Sequence, residues 1–268
     1  MNQYVIYSDL DGTILDINNY SHEQSEKAIG LLKKYHIPLI FCSTKTFAEQ
    51  VYYQKILGIY APFIIENGSA IFIPKDYFSF SYQFSFNKDD YNVIELGKPV
   101  ELIRHAIREV NQNLGFNLRG FNNMPIDELV RIVGLDKEKI NNALAKDYTK
   151  TLVNSLSENE VIRINEELIK QGLTLCKGSK YYSVMSASTD KGKAVSILNK
   201  LFESKYPQFI SIGIGDGAND ASMFSVVDNA FLVQRYNGFW ENIYSEKIKK
   251  IEGVGGKGFE QVIMSIVN

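Results

Sequence analysis

The feature that most constrains this chain is its opening run, Tyr4-Val5-Ile6-Tyr7-Ser8-Asp9-Leu10-Asp11-Gly12-Thr13. An apolar stretch of strand length delivers two carboxylates directly at its end. Unpaired carboxylates resist transfer out of water, so a buried strand ending in acid needs a compensating partner. Extended backbone turns residues two apart to the same side. Asp9 and Asp11 can therefore converge on one point, where a divalent cation and a phosphoryl group could sit. Gly12 lets the chain turn sharply and brings backbone N–H groups close to an anion. A strand followed by an ordinary Asp-Gly turn explains this run by itself. Three later segments weigh against that plainer reading.

The chain has 268 residues, enough for one large domain or two modest ones. An apolar share of 45% supports a packed core and argues against disorder. The net charge of -2 and pI near 6.0 give no electrostatic case for a nucleic-acid partner. The longest apolar stretches, 37–42 and 61–65, are strand-sized, so no membrane partner is expected. The N-terminus lacks a basic region before its first strand and carries no visible secretory signal. Cys42 and Cys176 sit in apolar, strand-like settings and read as reduced core thiols of a cytoplasmic protein. His22, His36 and His105 form no cluster and suggest packing or surface roles rather than metal binding.

Strand and helix patterns alternate from the start. Residues 4–8 and 37–42 read as strands. Ser21-His22-Glu23-Gln24 is a capping-box signature before a helix carrying Ala28, Leu31, Leu32 and Tyr35 on one face. Residues 46–57 read as a helix stopped by Gly58. Strands 63–66 and 70–73 flank Asn67-Gly68, a strong hairpin signal. This order implies a parallel sheet with helices on both faces.

The style then changes. Phe80, Tyr82, Phe84 and Phe86 alternate with polar residues, as in a strand with one buried face. Helical patterns follow at 99–113, 125–133, 136–148 and 158–170, then strands at 173–176 and 181–185. From Asp190 the first style returns: a helix to 202, a strand over 209–214, a short helix near 219–226 and a strand over 229–233. A glycine-rich loop, 253–258, precedes a last helix at 259–267. The reading is an α/β core, residues 1–80 and 188–268, with an inserted α+β module over 81–187 that holds the aromatic stripe in its own core.

Three further segments carry possible chemistry. Leu39-Ile40-Phe41-Cys42-Ser43-Thr44-Lys45-Thr46 brings hydroxyls and an amine to a helix start, which favours anions; Ser43 and Thr44 are equally good as plain N-caps. Asp190-Lys191-Gly192-Lys193 places lysine where the helix dipole opposes it, a misfit explained if Lys191 neutralises phosphate and carboxylates across a cleft. Ile210-Ser211-Ile212-Gly213-Ile214-Gly215-Asp216-Gly217-Ala218-Asn219-Asp220 is a second buried strand ending in acid. Neither the Rossmann glycine spacing nor a Walker lysine is present.

D-L-D-G-T, a strand-end hydroxyl, D-K-G and G-D-x-x-N-D, in this order, resemble the haloacid dehalogenase superfamily of phosphotransferases. The layout is similar to its subfamily with a large α/β cap inserted after the third core strand (C2 type). The segments 43–46, 61–74, 133–135, 177–181 and 255–259 are similar to those of mannosyl-3-phosphoglycerate phosphatases, so the resemblance spans nearly the whole chain. Two segments depart from that family. Lys146-Asp147-Tyr148-Thr149-Lys150-Thr151 stands where the family has an Arg-Glu-Tyr-x-Glu-Pro-like run, and Gly178-Ser179-Lys180-Tyr181 where it has Gly-Gly-Arg-Phe. Arg and Lys are not interchangeable in forked hydrogen bonding.

The resemblance implies an Mg²⁺-dependent phosphatase acting on a phosphorylated sugar, with mannosyl-3-phosphoglycerate the expected substrate and a monomer or dimer the expected assembly. It makes Asp9 the nucleophile, Asp11 the general acid–base and Lys191 a catalytic cation. It assigns the metal to Asp9, Asp11 through its backbone carbonyl, Asp216 and the neighbouring Asp220. Gly12, Thr13 and Ser43 would hold phosphate oxygens. Thr44, Lys45, Asn67 and Asn219 would belong to the substrate-binding segments, with Asn219 and Asp220 orienting Lys191 or metal-bound water. Lys177, Lys180 and Lys146 are candidates for the substrate carboxylate. Rival readings are a sucrose-phosphate-type or other sugar phosphatase, a hexose phosphomutase, or a non-catalytic sugar-phosphate-binding regulator. The intact Asp9, Asp11, Lys191 and Asp216 set speaks against the last.

Overall fold

The computed structural model describes residues 3–134, 136–178 and 181–267. Its first strand, β1 (Tyr4–Ser8), buries Val5, Ile6 and Tyr7 completely. It can be apolar without alternation because both faces of its sheet are covered. Then come α1 (Glu26–Lys34), β2 (Leu39–Cys42), α2 (Phe47–Leu57), β3 (Phe63–Ile65), β4 (Ala70–Pro74), β5 (Phe86–Lys88) and β6 (Tyr91–Glu95). The middle of the chain forms α3 (Val100–Leu114), α4 (Ile126–Val133), α5 (Lys137–Leu144), β7 (Lys150–Leu152), α6 (Glu158–Ile169), β8 (Leu173–Lys177) and β9 (Tyr182–Ser186). The chain closes with α7 (Lys191–Lys205), β10 (Ile210–Gly215), α8 (Ala221–Val226), β11 (Asn229–Gln234), β12 (Ile248–Val254) and α9 (Gly256–Val267).

A nine-stranded sheet runs in the order β12-β11-β10-β1-β2-β3-β4-β6-β5. It is parallel from β12 to β3 and antiparallel from there to its β5 edge. Alternate residues of β1 feed opposite faces. Ile6 joins the layer under α1, α2 and α9, with Leu32, Leu57 and Phe259. Val5 and Tyr7 join the layer under α7 and α8, with Leu198, Phe202 and Phe224. The turn between β3 and β4 holds Glu66, Asn67 and Gly68 at positive φ (47°, 59° and 89°). Gly68 is required there, since a Cβ would stand 2.0 Å from the Asp190 carbonyl oxygen.

A second, antiparallel sheet, β7-β9-β8, has α3 and α6 on one face. Ile103, Val110, Ile164 and Leu168 pack there on Leu152, Leu173 and Val184. Thr151 and Ser183, on the opposite face, point to the core's strand ends. This module is the cap of an α/β core. Glu66 ties the two together: its carboxylate accepts from Asp147 N (2.8 Å), Tyr148 N (3.2 Å) and Thr149 Oγ1 (2.6 Å) while fully buried.

Several elements differ from the sequence expectations. Residues 80–85 form no strand, and Phe80 and Tyr82 pack with the main sheet rather than inside the cap. Phe78, its ring tilted against that of Phe80 at 5.2 Å, meets Phe202 of α7 edge-on at 5.3 Å. Ring-on-ring packing buries these side chains without a strand ladder. The main sheet also continues through β5 and β6 beyond residue 80. In place of the expected capping box at Ser21 there is a 3-10 turn, Glu23–Ser25; Ser21 Oγ accepts from Glu23 N (3.3 Å), and Ser25 Oγ donates to Ile14 O (2.7 Å). The 136–148 helix stops at Leu144, releasing the chain to reach Glu66. β7 and β12 were not anticipated. No helix among the described residues is long and apolar enough to cross a membrane.

Glu66→Ala strands three donors of the cap. It is predicted to lower stability in equilibrium urea unfolding by about 1–3 kcal/mol or more, the penalty for unpaired buried polar groups. Parental stability in that variant would show the strut to be dispensable.

Candidate active site

The register of β1 against β10 sets Ser8 beside Ile214, so the acids following each strand emerge at adjacent tips. Asp9 N donates to Ile214 O (3.0 Å), and Leu10 N donates to Asp9 Oδ1 (2.8 Å). Lys191 opens α7 behind them, with Asp190 as the N-cap accepting from Lys193 N. Its fully buried ammonium lies 3.1 Å from Asp9 Oδ1 and 2.6 Å from Asp220 Oδ1. The other Asp220 oxygen accepts from Asp216 N (3.1 Å) and Gly217 N (3.0 Å). Gly12, at φ 79°, permits close approach here, since a Cβ would stand 2.7 Å from Asp216 Oδ2.

Oxygens of Asp9, Asp216 and Asp220 lie within 4.8 Å of one another, all buried. Lys191 pairs with two of these three carboxylates, and among the described residues no donor hydrogen-bonds to the Asp216 side chain. Burial drives the Asp216 carboxyl well above the usual range, helped by Asp220 and Asp9 against the smaller pull of Lys191 and Arg235. Burial likewise raises Asp220, although Lys191 opposes it. For Lys191, burial disfavours the charge, but Asp220 and Asp9 outweigh it and keep the ammonium protonated. This oxygen-rich, under-neutralised set fits a hard divalent cation.

A second charged group lies alongside. Lys45 Nζ is 3.0 Å from Asp11 Oδ1 and 3.2 Å from Glu49 Oε1, and 4.8 Å from the centre of the Tyr20 ring. Burial works against the Lys45 charge, but Asp11 and Glu49 prevail and raise it. Burial lifts Asp11 above its usual value despite Lys45, while Lys45 and Lys146 hold Glu49 below its own against burial.

Both groups border one cavity of about 510 Å³ beneath the cap. Asp9, Asp11, Gly12, Thr44, Lys45, Asp216 and Asn219 line it from the core, and Lys146 from the cap. Lys191 and Asp220 lie behind its floor. Asn67 is buried beside it, accepting from Asn219 Nδ2 (3.1 Å) and facing Cys176 Sγ at 3.9 Å. Ser43 and Thr13 are fully buried and do not border the cavity; Ser43 Oγ accepts from Lys45 N (3.4 Å). The Asp11 carboxylate stands apart from the acidic triad, drawn to Lys45. Lys177 is outside the cavity, its ammonium 5.9 Å from the centre of the Tyr182 ring. Lys180 lies outside the described residues. Cys42 and Cys176 are free thiols whose pKa values are raised by burial.

The sequence reading passed over Glu49, Tyr20, Phe121 and Arg235, which also line the cavity. Glu49 was findable: Thr46-x-x-Glu49 is a capping box at the start of α2. Nothing local marks the others.

A family profile described as haloacid dehalogenase-like hydrolase matches residues 6–237. The chain belongs to the haloacid dehalogenase-like hydrolases. A protein of Methanococcoides burtonii named glucosyl-3-phosphoglycerate/mannosyl-3-phosphoglycerate phosphatase is 35% identical over 266 residues, 99% of this chain and 97% of that one. The mannosyl-3-phosphoglycerate phosphatase of Pyrococcus furiosus is 38% identical over 229 residues, 85% of this chain and 90% of that one. Among solved structures, the sucrose-phosphatase of Synechocystis sp. PCC6803 aligns with a TM-score of 0.63 at 15% identity, covering 99% of this chain and 98% of that one. That last likeness is one of fold. It agrees with the expected haloacid dehalogenase core and inserted cap.

Because the native state holds a proton on Asp216 more tightly than the unfolded chain does, metal-free protein should lose stability as pH rises from about 4, the ordinary carboxylate value. Asp216→Asn removes that repulsion. The metal-free variant is predicted to melt above its parent at alkaline pH, with the gap narrowing in acid. A lower melting temperature at alkaline pH would refute the electrostatic account.

Proposed function

We propose that this hydrolase is an Mg²⁺-dependent phosphatase that removes the phosphoryl group of a glycosyl-3-phosphoglycerate, mannosyl-3-phosphoglycerate foremost. The observation that carries this reading is the convergence of Asp9, Asp216, Asp220 and Lys191 at one end of a cap-covered cavity of about 510 Å³. That is within the size range of small-molecule sites. The relatives' names supply the substrate class. With two free thiols, the cytoplasm is the compartment we assign.

Asp9, Asp216 and Asp220 would hold Mg²⁺, whose charge would offset that of the phosphoryl group. Asp9 attacks phosphorus, and the bond to the glycerate C3 oxygen breaks with its electron pair on that oxygen. Asp11 gives this oxygen a proton, releasing glycosylglycerate and leaving an aspartyl-phosphate. Asp11 then takes a proton from water as the water oxygen attacks phosphorus. The bond to Asp9 breaks, and inorganic phosphate leaves. Lys191, held between Asp9 and Asp220, orients the nucleophile. The backbone N–H groups of Gly12 and Thr13, expected on phosphate oxygens, donate instead to Leu15 O (2.8 Å) and Leu10 O (3.2 Å). Lys146, whose ammonium donates to Thr44 O (2.5 Å) on the cavity wall, is assigned the substrate carboxylate.

A phosphate-release screen with Mg²⁺ tests the reading. Mannosyl- and glucosyl-3-phosphoglycerate are expected to be turned over far faster than sucrose phosphate or hexose phosphates. Preference for either of the latter two would overturn the substrate assignment, and transfer of phosphate to a sugar would indicate a mutase. Asp11→Asn is expected to slow turnover by about 10²–10⁴-fold, the range for lost general acid–base catalysis. Asp9→Asn should abolish it; near-parental release by Asp9→Asn is incompatible with covalent catalysis.

A further inference from the structure

We propose that Lys45 and Glu49 are positioning residues for Asp11: Glu49 fixes the Lys45 ammonium, and Lys45 holds the Asp11 carboxyl toward the scissile oxygen. The inference rests on the reading of Asp11 as the proton donor and assigns Lys45 a role other than substrate contact.

Three observations carry it. Lys45 is spent within the protein, with its side chain only 5% exposed and its ammonium engaged by Asp11 (3.0 Å) and Glu49 (3.2 Å). What remains of it faces the Tyr20 and Tyr53 rings, at 4.8 and 5.5 Å from their centres. Secondly, among the described residues Lys45 is the cation paired with the Asp11 side chain, and no hydrogen bond holds the buried Asp11 Oδ1 otherwise. Thirdly, Glu49 cannot follow a moving lysine. Its other oxygen accepts from Thr46 N (2.9 Å), and its own N–H donates to Thr46 Oγ1 (3.2 Å), closing the capping box of α2.

The same short segment also meets the cap. Thr46 Oγ1 donates to Asn142 O (2.7 Å) of α5, and Lys146 Nζ donates to Thr44 O (2.5 Å). Seating the cap therefore bears on both residues flanking Lys45, so the orientation of Asp11 is coupled to cap placement through covalently adjacent groups.

Leaving-group chemistry separates this role from the alternatives. An alkoxide is a poor leaving group and needs the Asp11 proton, whereas p-nitrophenolate departs unprotonated. The test measures the first turnover of Lys45→Met and Glu49→Gln by rapid quench, with Mg²⁺, on mannosyl-3-phosphoglycerate and on p-nitrophenyl phosphate. For Lys45→Met, alcohol release is expected to fall by about 10²-fold or more, at a KM within about threefold of the parent. The nitrophenolate burst should fall at least about tenfold less. Glu49→Gln should show the same split with a smaller loss, and it carries the test if Lys45→Met does not fold. A raised KM with kcat retained would mean that Lys45 binds substrate. Equal losses on both compounds would mean general damage to the site. Either result overturns the proposal. If the parent itself does not hydrolyse mannosyl-3-phosphoglycerate, the substrate assignment fails instead, and the same contrast is read with glycerol phosphate as the alkyl ester.

Discussion

Lys191 is the interaction on which the site depends. Its ammonium has no access to solvent and bridges Asp9 and Asp220 at 3.1 and 2.6 Å. Burying an ion pair gains little by itself, but removing one partner leaves a charge uncompensated in a low-dielectric setting. Lys191 also sits at the start of α7, where the helix dipole opposes a cation, so local structure does not favour it there. The acids do. They can reach it because β1 and β10 are neighbours in a parallel sheet, with Ser8 in register with Ile214. Parallel strands end on the same side, so the turns after both deliver their carboxylates to one place.

That place is under-neutralised by design of the sequence rather than by accident of packing. Gly12 and Gly215 stand where a side chain would collide with Asp216 or Asp220, so small residues give the carboxylates their room. The cap completes the chamber. It is held by the buried Glu66 carboxylate and by the contacts of α5 with residues 44 and 46. Its exposed sheet face supplies Thr151 and Ser183 to the roof. Fold, charge and enclosure are thus three consequences of where a few strands end.

The parts legible in the sequence are those encoded locally. An apolar run ending in Asp9 and Asp11, a lysine after Asp190 and a second acid-tipped strand each announce themselves within ten residues or so, and the helix and strand alternation orders them. What the sequence does not display is partnership across distance. Asp11 with Lys45, and Glu66 with the backbone of 147 and 148 and the hydroxyl of Thr149, are matched only in three dimensions. The aromatic run from Phe80 misled because Phe80 and Tyr82 pack on Phe78, which in turn meets Phe202, and this chain of ring contacts imitates the period of a strand. Lys177 lies in a segment resembling a substrate-binding one, yet the end of β8 turns its ammonium toward Tyr182. Strand direction decides that, and three-residue strands such as β7 are too short to be recognised by pattern.

The most direct test of the account is to locate the phosphoryl group on the protein during turnover. Enzyme mixed with mannosyl-3-phosphoglycerate and Mg²⁺ is quenched in acid, reduced with borohydride, which converts an aspartyl-phosphate to homoserine, and mapped by peptide mass spectrometry. The account predicts homoserine at position 9 and at no other aspartate. Conversion at Asp11, Asp216 or Asp220, or at no aspartate while substrate is being consumed, would contradict it.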